Sequence, residues 1–241
     1  AASDVYKRQS LPFVEDTAVP PENLAAYIRE FRKLLESYGL QYAMFGHVDV
    51  GCLHVRPALD LKNPQEEGWI RELSDQVVAL VKKYGGVMWS EHGRGYRSEY
   101  TADFFGEELH HDLRRIKEAF DPENRLNPGK IVTPLSQAAD KVVSLEGPLR
   151  GHQDRQIAPE LLKEYETAVN CNGNGACFDY SAKNVMCPSS RITRDRIHSP
   201  KGRAGMMREW LRMLSLNPER ETSVSNNSSE NFSGFRQTKS A

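Results

Sequence analysis

The stretch that decides the fold is GHVDVGCLHVRP, residues 46–57. It is typical of β-strand on both sides of Asp49 to Gly51, which favour a tight turn. On one uninterrupted strand, a separation of seven residues would place His47 and His54 on opposite faces. With a turn, the stretch becomes an antiparallel hairpin, and the two imidazoles can converge at one end of a sheet. We therefore predict a hairpin that carries both histidines.

The segments around this hairpin predict the element order β-α-β-β-α-β. Apolar and β-branched residues predict a strand over 11–19, and helical spacing predicts helices over 22–39 and 64–84. The sequence VMWSEH, residues 87–92, predicts a fourth strand, and a third helix is expected over 104–120. This order is typical of the α+β class and of its ferredoxin-like (split βαβ) fold, an antiparallel sheet with two helices on one face.

Changes in composition divide the chain into five parts. Residues 1–9 share no pattern with the residues after them, and we expect them to be an artefactual leader. Residues 10–134 would form the ferredoxin-like domain, and 135–158 a linker, with a long docking loop as the alternative. Residues 159–214 would form a small helical domain. Residues 215–241 contain few apolar side chains, so we expect a disordered tail.

Charge and hydropathy give no support for a nucleic-acid-binding or membrane-spanning protein. The chain has 32 Lys and Arg residues against 33 Asp and Glu residues, so nothing favours a nucleic acid as partner. There is no apolar run long enough to span a bilayer, and no signal segment is recognisable. We expect a cytoplasmic protein. Peripheral association with the inner membrane and homo-oligomer formation stay open.

Candidate metal ligands lie in two segments. Imidazole nitrogens suit zinc and similar ions, which makes His47 and His54 candidates. The sequence SEHGRG adds Glu91 and His92 at the end of the predicted fourth strand. Adjacent side chains on a strand point to opposite sides, so one of this pair could face a metal and the other a neighbouring cavity. The alternative is that all four are surface or structural residues.

Three cysteines cluster in the second half of the chain, at Cys171, Cys177 and Cys187. Without a secretory signal, such a cluster favours metal or redox chemistry over disulfides. An iron–sulfur cluster normally takes four cysteines, and Cys52 belongs to the other domain. A zinc site and three free thiols are the alternatives.

Three motifs in the same order resemble those of flavin-linked D-2-hydroxy acid dehydrogenases, in the vanillyl-alcohol-oxidase-type superfamily. GHVDVGCLH is similar to their Gly-His-x-x-x-Gly-x-x-His element, SEHGRG to Glu-His-Gly-x-Gly, and FDPENRLNPGKI to a terminal Asp-Pro…Asn-Pro-Gly-Lys segment. Residues 10–134 would then be the substrate domain of an FAD-linked oxidase. Residues 159–214 resemble the start of the iron–sulfur half of long bacterial flavin/iron–sulfur oxidoreductases of the YdiJ type. The chain would be an internal fragment of such a protein.

The resemblance implies a role for each residue of the proposed site. His47, His54 and Glu91 would hold zinc or manganese, and His92 would be the general base that removes the proton of the substrate hydroxyl. The hydride would pass to FAD, which a domain upstream would mostly bind. D-2-hydroxyglutarate is the favoured substrate, followed by D-lactate or glycolate, and the electron acceptor is unassigned. By the same resemblance, the three clustered cysteines would be ligands of a 4Fe–4S cluster whose ligand set is incomplete here.

Arg56 is the candidate for binding the substrate carboxylate. It lies two residues beyond His54, on the same side of a strand, and its guanidinium could bind a carboxylate with two hydrogen bonds. Related enzymes carry an amide at this place, and the alternative is a surface arginine paired with an acid. Arg94 and Arg97 are further candidates of the same kind.

The terminal motif contains two candidate flavin contacts, and two rival functions are also compatible with the sequence. Asn127 and Lys130 match a family segment that packs near the flavin, with a plain domain-closing turn as the alternative. The rival functions are a metal-independent flavin oxidase of the same superfamily and a non-catalytic, ferredoxin-like ligand-binding module.

Overall fold

The computed structural model describes residues 8–137, 141–147, 149–171, 175–181, 183 and 187–217. The chain divides into two compact units, Ala1–Leu149 and Arg150–Ala241. Each unit has an apolar core of its own. The division falls within the segment that the sequence predicts to be a linker.

The first unit is built on a small antiparallel sheet. Its elements in chain order are β1 (Gln9–Ser10), β2 (Thr17–Ala18), α1 (Leu24–Ser37), β3 (Tyr42–His47), β4 (Cys52–Leu59), α2 (Pro64–Lys83) and α3 (Thr101–Phe120). Strand β4 is the common partner, because β1, β2 and β3 all pair with it in antiparallel register. An isolated bridge also joins Ala18 to Val87. The predicted hairpin and the predicted helices are confirmed.

The two long helices, α1 and α2, bury one face each. The buried residues of α1 recur at helical spacing, as do most of those of α2, and the main ones are Leu24, Tyr27, Phe31 and Leu35 in α1 and Ile70, Leu73, Val77 and Val81 in α2. Helix α2 begins after Asn63, whose side chain accepts a hydrogen bond from the Gln65 N–H, with Pro64 at the first helical position. These residues, with the inner face of β4, form the core of the unit.

Strand β4 separates this core from the candidate site. Side chains alternate between faces along a strand, so Leu53, Val55 and Leu59 lie on one face and belong to the buried core. Cys52, His54 and Arg56 lie on the other face. The same strand therefore anchors the unit and presents polar residues on its opposite side.

Two predicted strands are wrong in extent. The strand predicted over 11–19 is present only at Thr17–Ala18, because Asp16 has a left-handed backbone with φ of 71°. The strand predicted over 87–92 is reduced to the bridge at Val87. Beyond it, the N–H groups of residues 90–92 donate to the carboxylate of Asp16 and not to a neighbouring strand.

The ends of the predicted first domain and of the tail also differ in detail. Gln9 pairs with Leu59, and Arg8 Nη2 lies 2.9 Å from Glu66 Oε1, so these two residues of the predicted leader contact the first unit. Residues 1–7 lie outside the described residues. At the other end, residues 215 and 216 continue a helix, and residues 218–241 of the predicted tail lie outside the described residues.

The second unit is helical. It contains α4 (Arg150–Asp154), α5 (Pro159–Glu164), α6 (Glu166–Val169), α7 (Pro188–Thr193) and α8 (Pro200–Leu216). Ile157, Val169 and Leu211 form its small core, beside a buried ion pair between Arg208 and Asp154. Within the described part of the chain, no helix combines the length and the apolar character needed to cross a membrane.

Candidate functional site

The hairpin places both of its histidines on one face of the sheet. His47 pairs with Cys52 across β3 and β4, and directly opposed residues share a face. Cys52 and His54 are two residues apart on β4 and also share a face. The rings of His47 and His54 accordingly lie 5.7 Å apart between centroids, nearly perpendicular to each other.

The turn between the strands depends on Gly51. The chain makes one turn of 3-10 helix over Val48–Val50, and Gly51 follows with a left-handed φ of 70°. A Cβ atom at this position would lie 1.8 Å from the carbonyl oxygen of Val19, so no other residue fits without displacing the backbone. The predicted turn at residues 49–51 is confirmed.

One oxygen of Glu91 faces the imidazoles of three histidines. Glu91 Oε1 lies 2.8 Å from His54 Nε2, 3.3 Å from His47 Nε2 and 3.8 Å from His92 Nε2. The ring of His92 also stacks on that of His54, with centroids 4.7 Å apart. The four residues that the sequence singles out are therefore brought together, and we call them the histidine cluster.

Asp16 holds the loop that carries Glu91 and His92. Its carboxylate is fully buried and accepts hydrogen bonds from the N–H groups of residues 90–92, at distances from 2.9 to 3.1 Å. Arg97 lies 3.6 Å from the same carboxylate and donates to the carbonyl oxygens of Met88 and Gly93. Burial lowers the pKa of Arg97, and the charge of Asp16 partly offsets this effect. The sequence gives little signal for Asp16, because its partners lie more than 70 residues away.

Glu15 is a second buried carboxylate that sequence reasoning missed. It is 5% exposed, and its Oε2 lies 3.4 Å from His92 Nδ1. Its Oε1 lies 3.9 Å from His54 Nδ1, a buried nitrogen without a hydrogen-bond partner in the described part of the chain. Arg56 donates to the same Oε1 through Nε at 2.9 Å and Nη2 at 2.6 Å. The structure thus pairs Arg56 with an acid, which is the alternative interpretation of this residue.

The contacts of Glu91 with the two hairpin histidines are compatible with a shared divalent metal. With metal–ligand bonds of about 2.0–2.1 Å in a tetrahedral site, neighbouring ligand atoms lie about 3.4 Å apart. The distances of 3.3 and 2.8 Å from Glu91 Oε1 to the two hairpin imidazoles are close to this value. Two imidazoles and a carboxylate are also a donor set that zinc and manganese accept. The residue types present therefore suit such an ion, but the ligand atoms of His47, His54 and Glu91 do not all lie within 4.8 Å of one another, so the imidazole of His47 would have to turn toward His54 to complete the set.

In the described part of the chain, His54 belongs to both groups of potential metal ligands whose ligand atoms lie within 4.8 Å of one another, and His47 belongs to neither. One group contains Asp16, Cys52, His54 and Glu91, and the other contains Glu15, His54 and His92. His54 is 3% exposed and is common to both groups. Among the described residues, it is therefore the residue on which both of these groups depend.

A cavity of about 580 Å³ opens beside the histidine cluster. Its walls are mostly apolar, and its polar lining side chains include His92, Glu15, Arg94 and Arg97. Ligand sites combine an apolar cavity with a few convergent polar groups in this way. Glu91 faces the hairpin, and His92 contacts both the cluster and the cavity, while the roles expected for this pair stay predictions.

Asn127 and Lys130 form a turn outside the cluster. Asn127 has a left-handed backbone with φ of 48° and is exposed, and the Lys130 N–H donates to its carbonyl oxygen at 3.1 Å. Among the described residues, neither belongs to the lining of the cavity. Their contact with a flavin stays a prediction.

The three clustered cysteines of the second unit fit an iron–sulfur cluster only in part. Cys171 and Cys177 line one groove, while Cys187 precedes helix α7 as its N-cap. Within the described residues, these cysteines do not form a group of three ligand atoms within 4.8 Å of one another. A 4Fe–4S cluster takes four cysteines, so these three do not complete its ligand set by themselves.

The thiol of Cys187 is expected to react faster than that of Cys52. Hydrogen bonds from Ser190, with the nearby Arg203, lower the pKa of Cys187, whereas burial raises the pKa of Cys52. The thiolate is the nucleophile, so alkylation of Cys187 by iodoacetamide should begin at lower pH and be at least about tenfold faster at neutral pH. Peptide mass spectrometry of the metal-free chain measures both rates, and Ser190→Ala should slow Cys187 alone. Equal rates for the two cysteines would contradict this expectation.

The chain is similar in sequence to known flavin-linked enzymes. The family model for the C-terminal domain of FAD linked oxidases matches residues 2–131. The chain is 57% identical to a D-2-hydroxyglutarate dehydrogenase of Pantoea ananatis over 209 residues, which cover 87% of the chain and 20% of that protein. It is also 57% identical to the D-2-hydroxyglutarate dehydrogenase of Escherichia coli over 205 residues, 85% of the chain and 20% of that protein.

A more distant relative is a D-lactate dehydrogenase of Archaeoglobus fulgidus, 35% identical over 132 residues, which cover 53% of the chain and 28% of that protein. The chain thus spans about a fifth of the length of the D-2-hydroxyglutarate dehydrogenases that it matches. The resemblance inferred from the three motifs is confirmed. The chain belongs to the family of FAD linked oxidases and contains their C-terminal domain.

Proposed function

We propose that this chain is part of a longer FAD-dependent dehydrogenase, below called the full-length protein, which oxidises a D-2-hydroxy acid to the 2-oxo acid. D-2-hydroxyglutarate is the favoured substrate, and D-lactate or glycolate come next. The observation that carries the proposal is the histidine cluster at the edge of an apolar cavity. The names of the relatives support the substrate class.

In this proposal, His47, His54 and Glu91 hold zinc or manganese. The ion, when bound, supplies Lewis-acid polarisation of the substrate hydroxyl and fixes its orientation. FAD, when bound, supplies the hydride acceptor. The chain's own residues provide the binding site and the proton transfer.

His92 is the proposed general base. It lines the cavity, and the unprotonated nitrogen of a neutral imidazole can accept a proton from a hydroxyl. The carboxylate of Glu15 near Nδ1 favours the tautomer with a proton on that nitrogen, so Nε2 is left to accept the substrate proton. Glu15 is thus a positioning residue for His92.

The remaining site residues are also proposals. Arg56 could bind a substrate carboxylate only with its remaining N–H groups or after leaving Glu15. Asn127 and Lys130 would contact the flavin, which a domain outside this chain would mostly bind. Cys171, Cys177 and Cys187 would contribute three ligands to a 4Fe–4S cluster.

We also propose the ferredoxin-like topology for residues 10–134. Its support is the pairing order, in which Val87 bridges to β2, β2 pairs with β4, and β4 pairs with β3. With the two helices α1 and α2 in the connections, this is the order that a split βαβ unit requires. The cytoplasmic location also stays a prediction.

The full-length protein should reduce an artificial dye with D-2-hydroxy acids and not with the L enantiomers. His92→Gln should lower kcat by about 10²- to 10⁴-fold, the range that general-base catalysis contributes. The matched control is His111→Gln, which replaces an exposed histidine of α3 and should leave the rate unchanged. Equal rates with both enantiomers, or a fully active His92→Gln variant, would overturn the proposal. Binding of the hydroxy acid without turnover would favour the ligand-binding module.

A further inference from the structure

Three arginines lie near the cavity, and two of them are already engaged. Arg56 donates twice to Glu15, and Arg97 donates to two carbonyl oxygens beside the buried Asp16. Arg94 differs from both, because no acidic oxygen lies within 4 Å of it among the described residues. A half-buried cation without an acid is costly unless a ligand supplies the negative charge.

The surroundings of Arg94 hold its guanidinium in place without neutralising it. The guanidinium lies 4.6 Å from the ring centroid of Phe105 and 5.0 Å from that of Trp89. The two rings are nearly parallel. Its Nη1 is buried and lacks a hydrogen-bond partner in the described part of the chain. Burial lowers the pKa of Arg94, and no carboxylate among the described residues offsets this effect.

Arg94 shares the cavity with the proposed base. Both Arg94 and His92 line it, and their Cα atoms, two residues apart, can be separated by at most about 7 Å. In a five-carbon dicarboxylic 2-hydroxy acid, three C–C bonds separate the hydroxyl-bearing carbon from the far carboxylate carbon, a reach of about 4 Å. The hydroxyl and the adjacent carboxylate belong at the histidine cluster. The far carboxylate needs a separate cation.

We infer that Arg94 binds the second carboxylate of a dicarboxylic 2-hydroxy acid and thereby sets the preference for dicarboxylic over monocarboxylic substrates. The inference rests on the proposed function and names the substrate class of its site. The planar guanidinium, held by two aromatic rings, presents paired N–H donors that match a carboxylate. Apolar walls that include Leu11 and Phe13 suit the methylene groups between the carboxylates.

The kinetic test compares D-2-hydroxyglutarate with D-lactate in the full-length protein. Arg94→Gln should raise KM and lower kcat/KM for the dicarboxylate by about 30-fold, as expected for the loss of charge-assisted hydrogen bonds. The D-lactate values should change less than about twofold, since lactate has no second carboxylate. Arg94→Lys should retain part of the preference, because it keeps the charge without the fork. Arg32→Gln, at an exposed arginine of α1, is the control.

A binding test keeps the inference independent of turnover. Calorimetry of the full-length protein should detect glutarate, with its affinity lowered about 30-fold in Arg94→Gln, and butyrate should bind equally weakly to both. Equal losses for both hydroxy acids, or unchanged glutarate affinity in a folded variant, would overturn the role of Arg94. If the wild type oxidises neither acid, the proposed function fails, and the glutarate result still decides the role of Arg94.

Discussion

Replacement of His54 by alanine is expected to remove the metal from the full-length protein and to lower the turnover of D-2-hydroxyglutarate by at least about 1000-fold, the equivalent of roughly 4 kcal/mol. His54 is buried, faces Glu91 at 2.8 Å and stacks on His92. Among the described residues, it also belongs to both groups of potential ligand atoms at the hairpin. Its loss therefore disables the site whichever neighbours complete the coordination.

The measurement pairs elemental analysis of the purified variants with dye-reduction kinetics. Because His54→Ala also leaves a hole in a packed region, His47→Ala is the second variant, at a half-exposed side chain whose removal should not unfold the chain. His111→Ala controls for the loss of a surface imidazole. Full turnover without metal in both cluster variants would favour a metal-independent flavin oxidase and refute the metal-dependent mechanism, and full metal content in both would refute the assignment of the ligands to the hairpin.

Replacement of Asp16 by asparagine is expected to lower the free energy of unfolding by about 3–5 kcal/mol. The carboxylate is fully buried and accepts hydrogen bonds from three consecutive N–H groups at residues 90–92. The amide of asparagine offers one acceptor oxygen in place of two. Its NH2 group would also face the backbone N–H groups of residues 90–92, which are donors themselves. It also leaves the buried charge of Arg97 without its counter-charge.

Urea unfolding of the chain, followed by circular dichroism, measures this loss. Asp49→Asn is the matched control, since it makes the same chemical change at an exposed turn residue and should shift stability by less than about 0.5 kcal/mol. Addition of Arg97→Met to Asp16→Asn should recover part of the loss, because the uncompensated cation is then removed. An Asp16→Asn variant as stable as the Asp49→Asn control would show that this carboxylate does not hold the loop.

Local sequence patterns were sufficient to predict the two long helices and the hairpin. Apolar residues at helical spacing predicted α1 and α2, and the position of Gly51 predicted the hairpin between His47 and His54. The strand predicted over 87–92 failed for a non-local reason. Its residues favour β-structure, but their N–H groups bond to the distant carboxylate of Asp16.

In the candidate site, too, local patterns were predictable from the sequence and contacts between distant residues were not. Motif spacing predicted the histidine cluster, which the structure assembles around one oxygen of Glu91. Strand alternation predicted the face of the sheet on which Arg56 lies. It could not show that the Arg56 guanidinium is hydrogen-bonded to Glu15. Arg94 lies in an irregular loop, where no periodicity predicts direction, and its lack of an acidic partner among the described residues is a tertiary property. The contacts of Glu15 and Asp16 and the surroundings of Arg94 could therefore be identified only from the structure.

Anomalous X-ray diffraction from crystals of the full-length protein, recorded on both sides of the zinc and manganese absorption edges, tests the central claim most directly. We predict one anomalous peak within about 2.2 Å of His47 Nε2, His54 Nε2 and Glu91 Oε1, beside the cavity that His92 and Arg94 line. A peak bound instead by Cys52 and Asp16, or crystals of active enzyme without a peak at the hairpin, would contradict it.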